Sequence, residues 1–466
     1  MFKTRVTHTA TSWYASLTAC VLVFALCFGL VTPAAYADVR KADIIYGMSV
    51  DSRGLSVADC PSIDAEYALV MDSEGTVYFE RNATTATQIA SITKIMTGLV
   101  ALESAPLDTV ITVSYRAATV GESSASLIEG DSMTLDVAIE ALLLSSGNDA
   151  ALAIAENIGR ILAGDPSLDD AAAEEVFINR MNERAVELGC TDTIFRNPHG
   201  LDHDSFAGDQ HSCAADVAIM AKAAMQNEVF RAAVGTPEKT INVKRADGTT
   251  VQLYLSSTDE MLKAGFDGAC GIKTGFTALA GPSFAGAANR DGVEMYAIVI
   301  HSSSESQRFT DAETLLDWVY DHTVKYQLIN LGQATAEQGG SSTQPIVAEV
   351  AHTEWIDKTV KATVADPAQV IDIFNLNGNI SQTVSYETIS GNIDAGDKVG
   401  TLTFTQRNEV QATVDLIAAE SVDAPDLFEG IGIWWDRLFR GFSGQPKQAE
   451  NTLYNETPLV IDKTSA

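Results

Sequence analysis

Ser91-Ile92-Thr93-Lys94 runs directly into Ile95-Met96-Thr97 and on to Leu99-Val100, and the fold turns on how this stretch is read. Positions 95, 96, 99 and 100 are apolar at helical spacing, so the segment starts a helix that buries one face. A spacing of three puts Ser91 and Lys94 on the same side. A serine hydroxyl is a poor nucleophile until a neighbour takes its proton, and a partly desolvated lysine at hydrogen-bond distance can do so. The start of the helix adds positive potential near developing negative charge. Alone the pattern is weak, because serine and lysine three apart recur often by chance.

Working outward, Ser146-Gly147-Asn148 ends the apolar run through Leu142, Leu143 and Leu144 and precedes another helical pattern. A serine and an amide are thus displayed at a helix junction. Ser146 can relay a proton between the lysine and a leaving amine, and Asn148 can hold a substrate carbonyl or orient Lys94. The plain alternative is a glycine turn with Asn148 capping the next helix. Lys273-Thr274-Gly275 comes just before a hairpin read from 283–288, a turn at Arg290-Asp291-Gly292, and 294–301. It is expected on an edge strand facing the cleft. Lys273 and Thr274 offer a charge and a hydroxyl to a substrate carboxylate, and Gly275 removes a side chain where substrate backbone comes close. By itself that triplet is equally consistent with an exposed strand end.

The three elements together, in this order and in the contexts of helix start, helix junction and strand, resemble the penicillin-recognising serine enzymes, which include class A β-lactamases and penicillin-binding proteins. The middle element reads Ser-Gly-Asn, which is similar to the low-molecular-weight D-Ala-D-Ala carboxypeptidases. The stretches 89–97, 144–150, Asn197-Pro198-His199-Gly200-Leu201 and 271–277 look like that family's segments. The resemblance implies an α+β fold, a penicillin-binding-protein/β-lactamase-like transpeptidase domain with a smaller C-terminal all-β domain. It implies that Ser91 attacks the carbonyl of the penultimate D-alanine with Lys94 as base. Backbone N–H groups of Ser91 and Phe276 would form the oxyanion hole, and the terminal D-alanine would leave after protonation through Ser146. Asn148, Lys273, Thr274, Gly275 and Phe276 would bind substrate. The substrates implied are peptidoglycan pentapeptide stems, with β-lactams as inhibitors that trap the acyl-enzyme, and no cofactor or metal is implied.

The rest of the chain sets the context. Lys3 and Arg5, an apolar run over 15–31 and Ala35-Tyr36-Ala37 read as a secretory signal cut after position 37, with an uncleaved anchor as the alternative. The bulky Leu26 before Cys27 argues against lipid attachment there. An exported protein at the outer face of the cytoplasmic membrane or in the cell wall is expected. The net charge of -32 would become more negative by two, since the removed segment carries two cations and no acid. So acidic a chain is a poor nucleic-acid binder. Cys60, Cys190, Cys213 and Cys270 remain outside the cytoplasm, where four cysteines allow three complete pairings that sequence does not choose among. His199, between Pro198 and Gly200, reads as loop structure rather than a catalytic group. Those neighbours also argue against a helical metal pair with His203.

The domain reading is a lead-in over 38–64, a catalytic unit over 65–325 in which strands alternate with helices at 135–145 and 149–158, and a smaller all-β domain over 326–422. Gly339-Gly340-Ser341-Ser342 is a loop within the last. Over 426–442, Phe428, Ile431, Trp435, Leu438, Phe439 and Phe442 recur at helical spacing with Arg437 and Arg440 among the polar positions, an amphipathic helix suited to a membrane interface. Its alternative is a helix docked on its own protein. Residues 443–466 are polar and expected to be disordered. Two rival functions stand beside the carboxypeptidase: a β-lactamase, for which no carboxylate motif supplies a deacylation base, and a non-catalytic cell-wall-binding protein, which the intact Ser91, Lys94, Ser146, Asn148 and Lys273 oppose.

Overall fold

The computed structural model describes residues 39–331 and 344–460. The signal segment and the Gly339–Ser342 loop lie outside them. Two compact units divide at Ala312 and Glu313. The change of texture near Lys325 marks the first strand of the second unit; the division itself falls earlier, inside the helix Gln307–His322, which has no glycine or proline to announce a break.

In the first unit β1 (Ile44–Ile45), β2 (Met48–Ser49), β3 (Tyr67–Asp72) and β4 (Val77–Arg81) form one side of a seven-stranded antiparallel sheet. Between them and the sheet's other side the chain builds α1 (Lys94–Ser104), a small sheet of β5 (Val110–Thr112), β6 (Ser132–Thr134), β7 (Glu238–Lys244) and β8 (Thr250–Ser256), and the helices α2 (Leu135–Leu143), α3 (Asn148–Ala163), α4 (Asp170–Leu188) and α5 (Ala214–Met225). β9 (Ala269–Gly275), β10 (Ser283–Arg290) and β11 (Val293–Ile300) complete the large sheet in the order β2-β1-β4-β3-β11-β10-β9. The expected hairpin is β10–β11. Asp291 and Gly292 both take positive φ, 52° and 86°, the geometry of a two-residue turn that matches strand twist.

β3 and β11 lie inside the sheet and are buried almost throughout, which is why 67–71 and 295–300 within them read as unbroken apolar runs rather than as alternation. Their residues Leu69, Met71, Tyr296 and Ile298 share a core with Ile95 and Leu99 of α1, Ile139 and Leu142 of α2, Ile154 of α3 and Phe177 of α4. Burial of α1 on this scale, eight residues from Lys94 to Ala101, fixes the first turn of that helix against the sheet. β9 is the edge strand, paired among the described residues with β10 alone, in the register Gly275 to Ser283 and Thr274 to Phe284. The Lys273-Thr274-Gly275 triplet therefore sits where the sequence placed it.

The second unit pairs β12 (Thr323–Gln327) with β15 (Val370–Phe374), and builds a six-stranded antiparallel sheet from β13 (Ala348–Ala351), β14 (Thr359–Thr363), β16 (Ile380–Tyr386), β17 (Lys398–Gln406), β18 (Glu409–Ala418) and β19 (Thr452–Leu453). Val350, Val360, Leu402, Phe404 and Leu416 form its core. After β18 comes α6 (Leu427–Ser443), capped by a reciprocal pair of hydrogen bonds between Asp426 and Glu429. No residue of α6 is buried. Leu427, Phe428, Ile431, Trp434, Trp435, Leu438, Phe439 and Phe442 are all exposed.

The expected disordered tail is corrected as far as Val460. β19 adds to the sheet beside β13, and the buried Asn455 donates its amide to Leu328 O and Gln382 Oε1 while its Oδ1 accepts from Asn330 N at 2.7 Å. The segment is polar, but its polar groups are spent on partners inside the fold, and composition does not distinguish that from solvation.

Candidate active site

Ser91 lies on a 3-10 turn, Ala90–Thr93, that leads straight into α1. The residue before it, Ala90, is held at φ 47°, a left-handed conformation that a non-glycine residue adopts only where its surroundings impose it. The loop Asn197-Pro198-His199-Gly200 packs directly against it. A Cβ on Gly200, itself at φ 92°, would lie 1.9 Å from Ala90 O, so only glycine lets this loop close on the Ser91 turn. Gly275 does the same from the sheet side, where a Cβ would meet Ile89 O at 2.7 Å.

Lys94 is fully buried. Its Nζ lies 2.9 Å from Ser91 Oγ, 2.7 Å from Asn148 Oδ1 and 3.0 Å from His199 O. Burial first, and the like charge of Lys273 second, push the amine well below the usual lysine range, against a smaller opposing pull from Asp149. Once it gives up a proton, an amine in this cage has one lone pair, and the hydroxyl of Ser91 is the partner able to donate to it.

Asn148 opens α3. Its Oδ1 faces Lys94, its Nδ2 donates to Gly121 O at 2.9 Å and its backbone N–H to Ser123 O at 2.8 Å. The side chain is therefore an orienter, not a helix cap; the residue at the cap position is Gly147. Ser146, at φ 54°, lines the same cavity but is not among the three partners of Lys94 Nζ.

Lys273 is buried and donates to Thr274 O at 2.9 Å. Burial, reinforced by Arg308 and opposed by Asp259, pushes it down to about 7. The hydroxyls of Thr274 and Thr258 are 2.6 Å apart. Arg308 donates to Gly275 O at 3.2 Å and pairs with Glu305, with its guanidinium over the Phe309 ring.

These groups surround a cavity of about 390 Å³ whose wall includes Ser91, Ser146, Asn148, Thr274, Gly275 and Phe276. Lys94 and Lys273 lie behind that wall. All eight residues singled out from sequence thus converge, from a helix start, a helix junction and an edge strand. Sequence reading missed three contributors. Thr258 and Arg308 lie in no recognisable motif. The carbonyl of His199 is a backbone group, and only the quoted Asn197–Leu201 stretch hinted that the loop mattered. The His199 ring itself is buried against Phe206, and its Nδ1 accepts from Leu201 N. Burial and then Lys94 push it well below the usual imidazole range, so it stays neutral. The four cysteines described are all free thiols, three buried and Cys270 half-buried.

Comparison with known proteins adds a second line. A family model described as D-alanyl-D-alanine carboxypeptidase matches residues 55–304. The chain is similar to D-alanyl-D-alanine carboxypeptidase DacF of Bacillus subtilis, 28% identical over 77% of this chain and 86% of that one. It is also similar to DacC of Escherichia coli, 27% identical over 82% and 90%. Among solved structures, a DD-transpeptidase from Streptomyces aligns at 30% identity with a TM-score of 0.51, covering 56% of this chain and 98% of that one. A D-alanyl-D-alanine carboxypeptidase from Francisella tularensis, at 22% identity and TM-score 0.52, covers 78% of this chain and shares its fold.

Proposed function

The chain belongs to the D-alanyl-D-alanine carboxypeptidase family, and on that premise we propose that Ser91 is the nucleophile and Lys94 the base of its acyl transfer. The observation that carries this reading is the buried Lys94 amine 2.9 Å from Ser91 Oγ. Lys94 takes the hydroxyl proton as Ser91 Oγ attacks the carbonyl of the penultimate D-alanine. The oxyanion is received by the backbone N–H groups of Ser91 and Phe276, which border one cavity. Ser146, on the same wall, returns the proton to the departing D-alanine amine, and water hydrolyses the ester.

Of the two roles open to Asn148, orienting Lys94 is the one its contacts support. The terminal carboxylate of the substrate is received at the Thr274 hydroxyl, in the positive field of Lys273 and Arg308. The substrates are peptidoglycan pentapeptide stems, and a β-lactam, mimicking the dipeptide end, leaves Ser91 acylated. Release of D-alanine from an acyl-D-Ala-D-Ala peptide and labelling by a fluorescent penicillin test the assignment: wild type gives both and Ser91→Ala neither. Fast turnover of penicillin would replace it with a β-lactamase.

Export and a membrane-facing site of action are part of the same proposal. The eight exposed apolar residues of α6 lie on one helical face, and that face suits the interfacial region of a bilayer. Arg437 is directed the other way, donating to Thr353 O and Trp355 O of its own unit. Among the described residues no helix is long and apolar enough to cross a membrane. Serine at Phe428, Trp434 and Phe439 should release the protein from phospholipid vesicles; undiminished binding would remove the assignment.

A further inference from the structure

One buried charge beside the site is unused by the mechanism above. Asp149 follows Asn148, is almost fully buried, and has no cation bonded to it among the described residues. Instead four neutral donors hold its carboxylate. Oδ1 accepts from Ala125 N at 3.0 Å and from Ala150 N at 2.8 Å, and Oδ2 from Ser124 Oγ at 2.6 Å and Leu127 N at 3.1 Å. Burying a carboxylate this way is costly unless every lone pair is used, and here each oxygen accepts two bonds. The neighbouring Gly147 leaves the necessary room, since a Cβ there would lie 2.5 Å from Asp149 Oδ1.

The segment that Asp149 holds is the continuation of the one that holds Asn148. Gly121 O and Ser123 O bind the side-chain and main-chain amides of Asn148, and Ser124, Ala125 and Leu127 follow directly. We infer that Asp149 is a positioning residue for the Ser91–Lys94 pair: its carboxylate fixes the 121–127 segment, that segment fixes Asn148, and Asn148 Oδ1 fixes Lys94. Asp149 is also the anion balancing Lys273 in the field at Lys94. The other groups facing that amine are the Ser91 hydroxyl, the Asn148 amide, the His199 carbonyl and the neutral His199 ring.

The inference rests on Lys94 being the base, and the test separates the two. Labelling rates with a fluorescent penicillin are measured across pH for the purified wild type, Asp149→Asn, Ser124→Ala and Ser91→Ala, with thermal melts alongside. Asp149→Asn should label about a hundredfold more slowly, as expected when a reacting group is displaced by about 1 Å. The acidic limb of its profile should move to lower pH, because losing the anion makes the Lys94 ammonium easier to deprotonate. Ser124→Ala, which removes one donor and no charge, should label severalfold more slowly with the limb in place. A wild-type rate in folded Asp149→Asn overturns the inference, and so does a slow rate with an unmoved limb, which leaves Asp149 a packing role. Should Asp149→Asn not fold, the Ser124→Ala rate decides: slowed supports the inference and unchanged overturns it. Labelling of Ser91→Ala would instead remove the nucleophile and everything built on it.

Discussion

Replacing Gly200 with alanine tests how tightly the Ser91 turn is held from behind. The new Cβ would stand 1.9 Å from Ala90 O and 2.9 Å from Thr93 Oγ1. The first gap falls about 1.5 Å short of ordinary contact, and neither Ala90 O nor the Gly200 backbone is the loose end of a flexible side chain. Either the Asn197–Leu201 loop retreats, taking His199 O from Lys94, or Ala90 moves and carries Ser91 with it. The first frees Lys94 from one of its fixed partners and the second shifts Ser91 by more than 1 Å, so penicillin acylation should fall by about a hundredfold or more. The backbone cost is separate. Alanine at φ 92° adds roughly 1–2 kcal/mol, a few degrees in Tm for a unit of this size. Gly164, at φ 64° with nothing within 4 Å of its absent Cβ, isolates that second effect: Gly164→Ala should lose similar stability and label at the wild-type rate. The assay is labelling rate and thermal melt on both variants. If Gly200→Ala labels as fast as Gly164→Ala, the loop does not brace Ser91.

Lys273→Met should raise KM for an acyl-D-Ala-D-Ala peptide and move the acidic limb of acylation to higher pH, because a like charge that lowers Lys94 is gone; an unmoved limb would refute the coupling. Glu156 is pushed from 4.5 up to about 7, chiefly by burial. A raised carboxyl gives stability that is full at low pH and lost as pH rises through its folded value, so wild-type Tm should fall from about pH 4.5 to 7 and Glu156→Gln should flatten that fall. Parallel Tm curves would contradict it. Asn455→Ala strands the backbone and side-chain partners of its amide, at about 1–3 kcal/mol for each buried group left unpaired. Denaturant titration should find the second unit less stable, and an unchanged transition would mean that the C-terminal strand is passive.

Much of the site was legible because its chemistry is carried by side chains at fixed local spacings. Ser91 and Lys94 are three apart, Ser146 and Asn148 flank a helix junction, and the Arg290-Asp291-Gly292 turn placed the hairpin and so put Lys273 on an edge. What stayed hidden is of another kind. His199 acts on Lys94 through a carbonyl that every residue possesses. Arg308 reaches the cavity from a helix whose sequence carries no signature. The tail was misread because Asn451 and Asn455 make backbone-like hydrogen bonds, to Ala351 N, Asn330 N and Leu328 O, and a polar letter says nothing about its partner.

The return of the chain through β19 has a mechanical consequence. A terminal helix swivels on whatever peptide precedes it, but α6 leaves from β18 and comes back into the same sheet, so it is hung at both ends like a handle. Arg437 grips the middle of that handle. Lipid contact along its aromatic side would then set the tilt of the six-stranded sheet over the bilayer, where a one-ended tether would leave that tilt free.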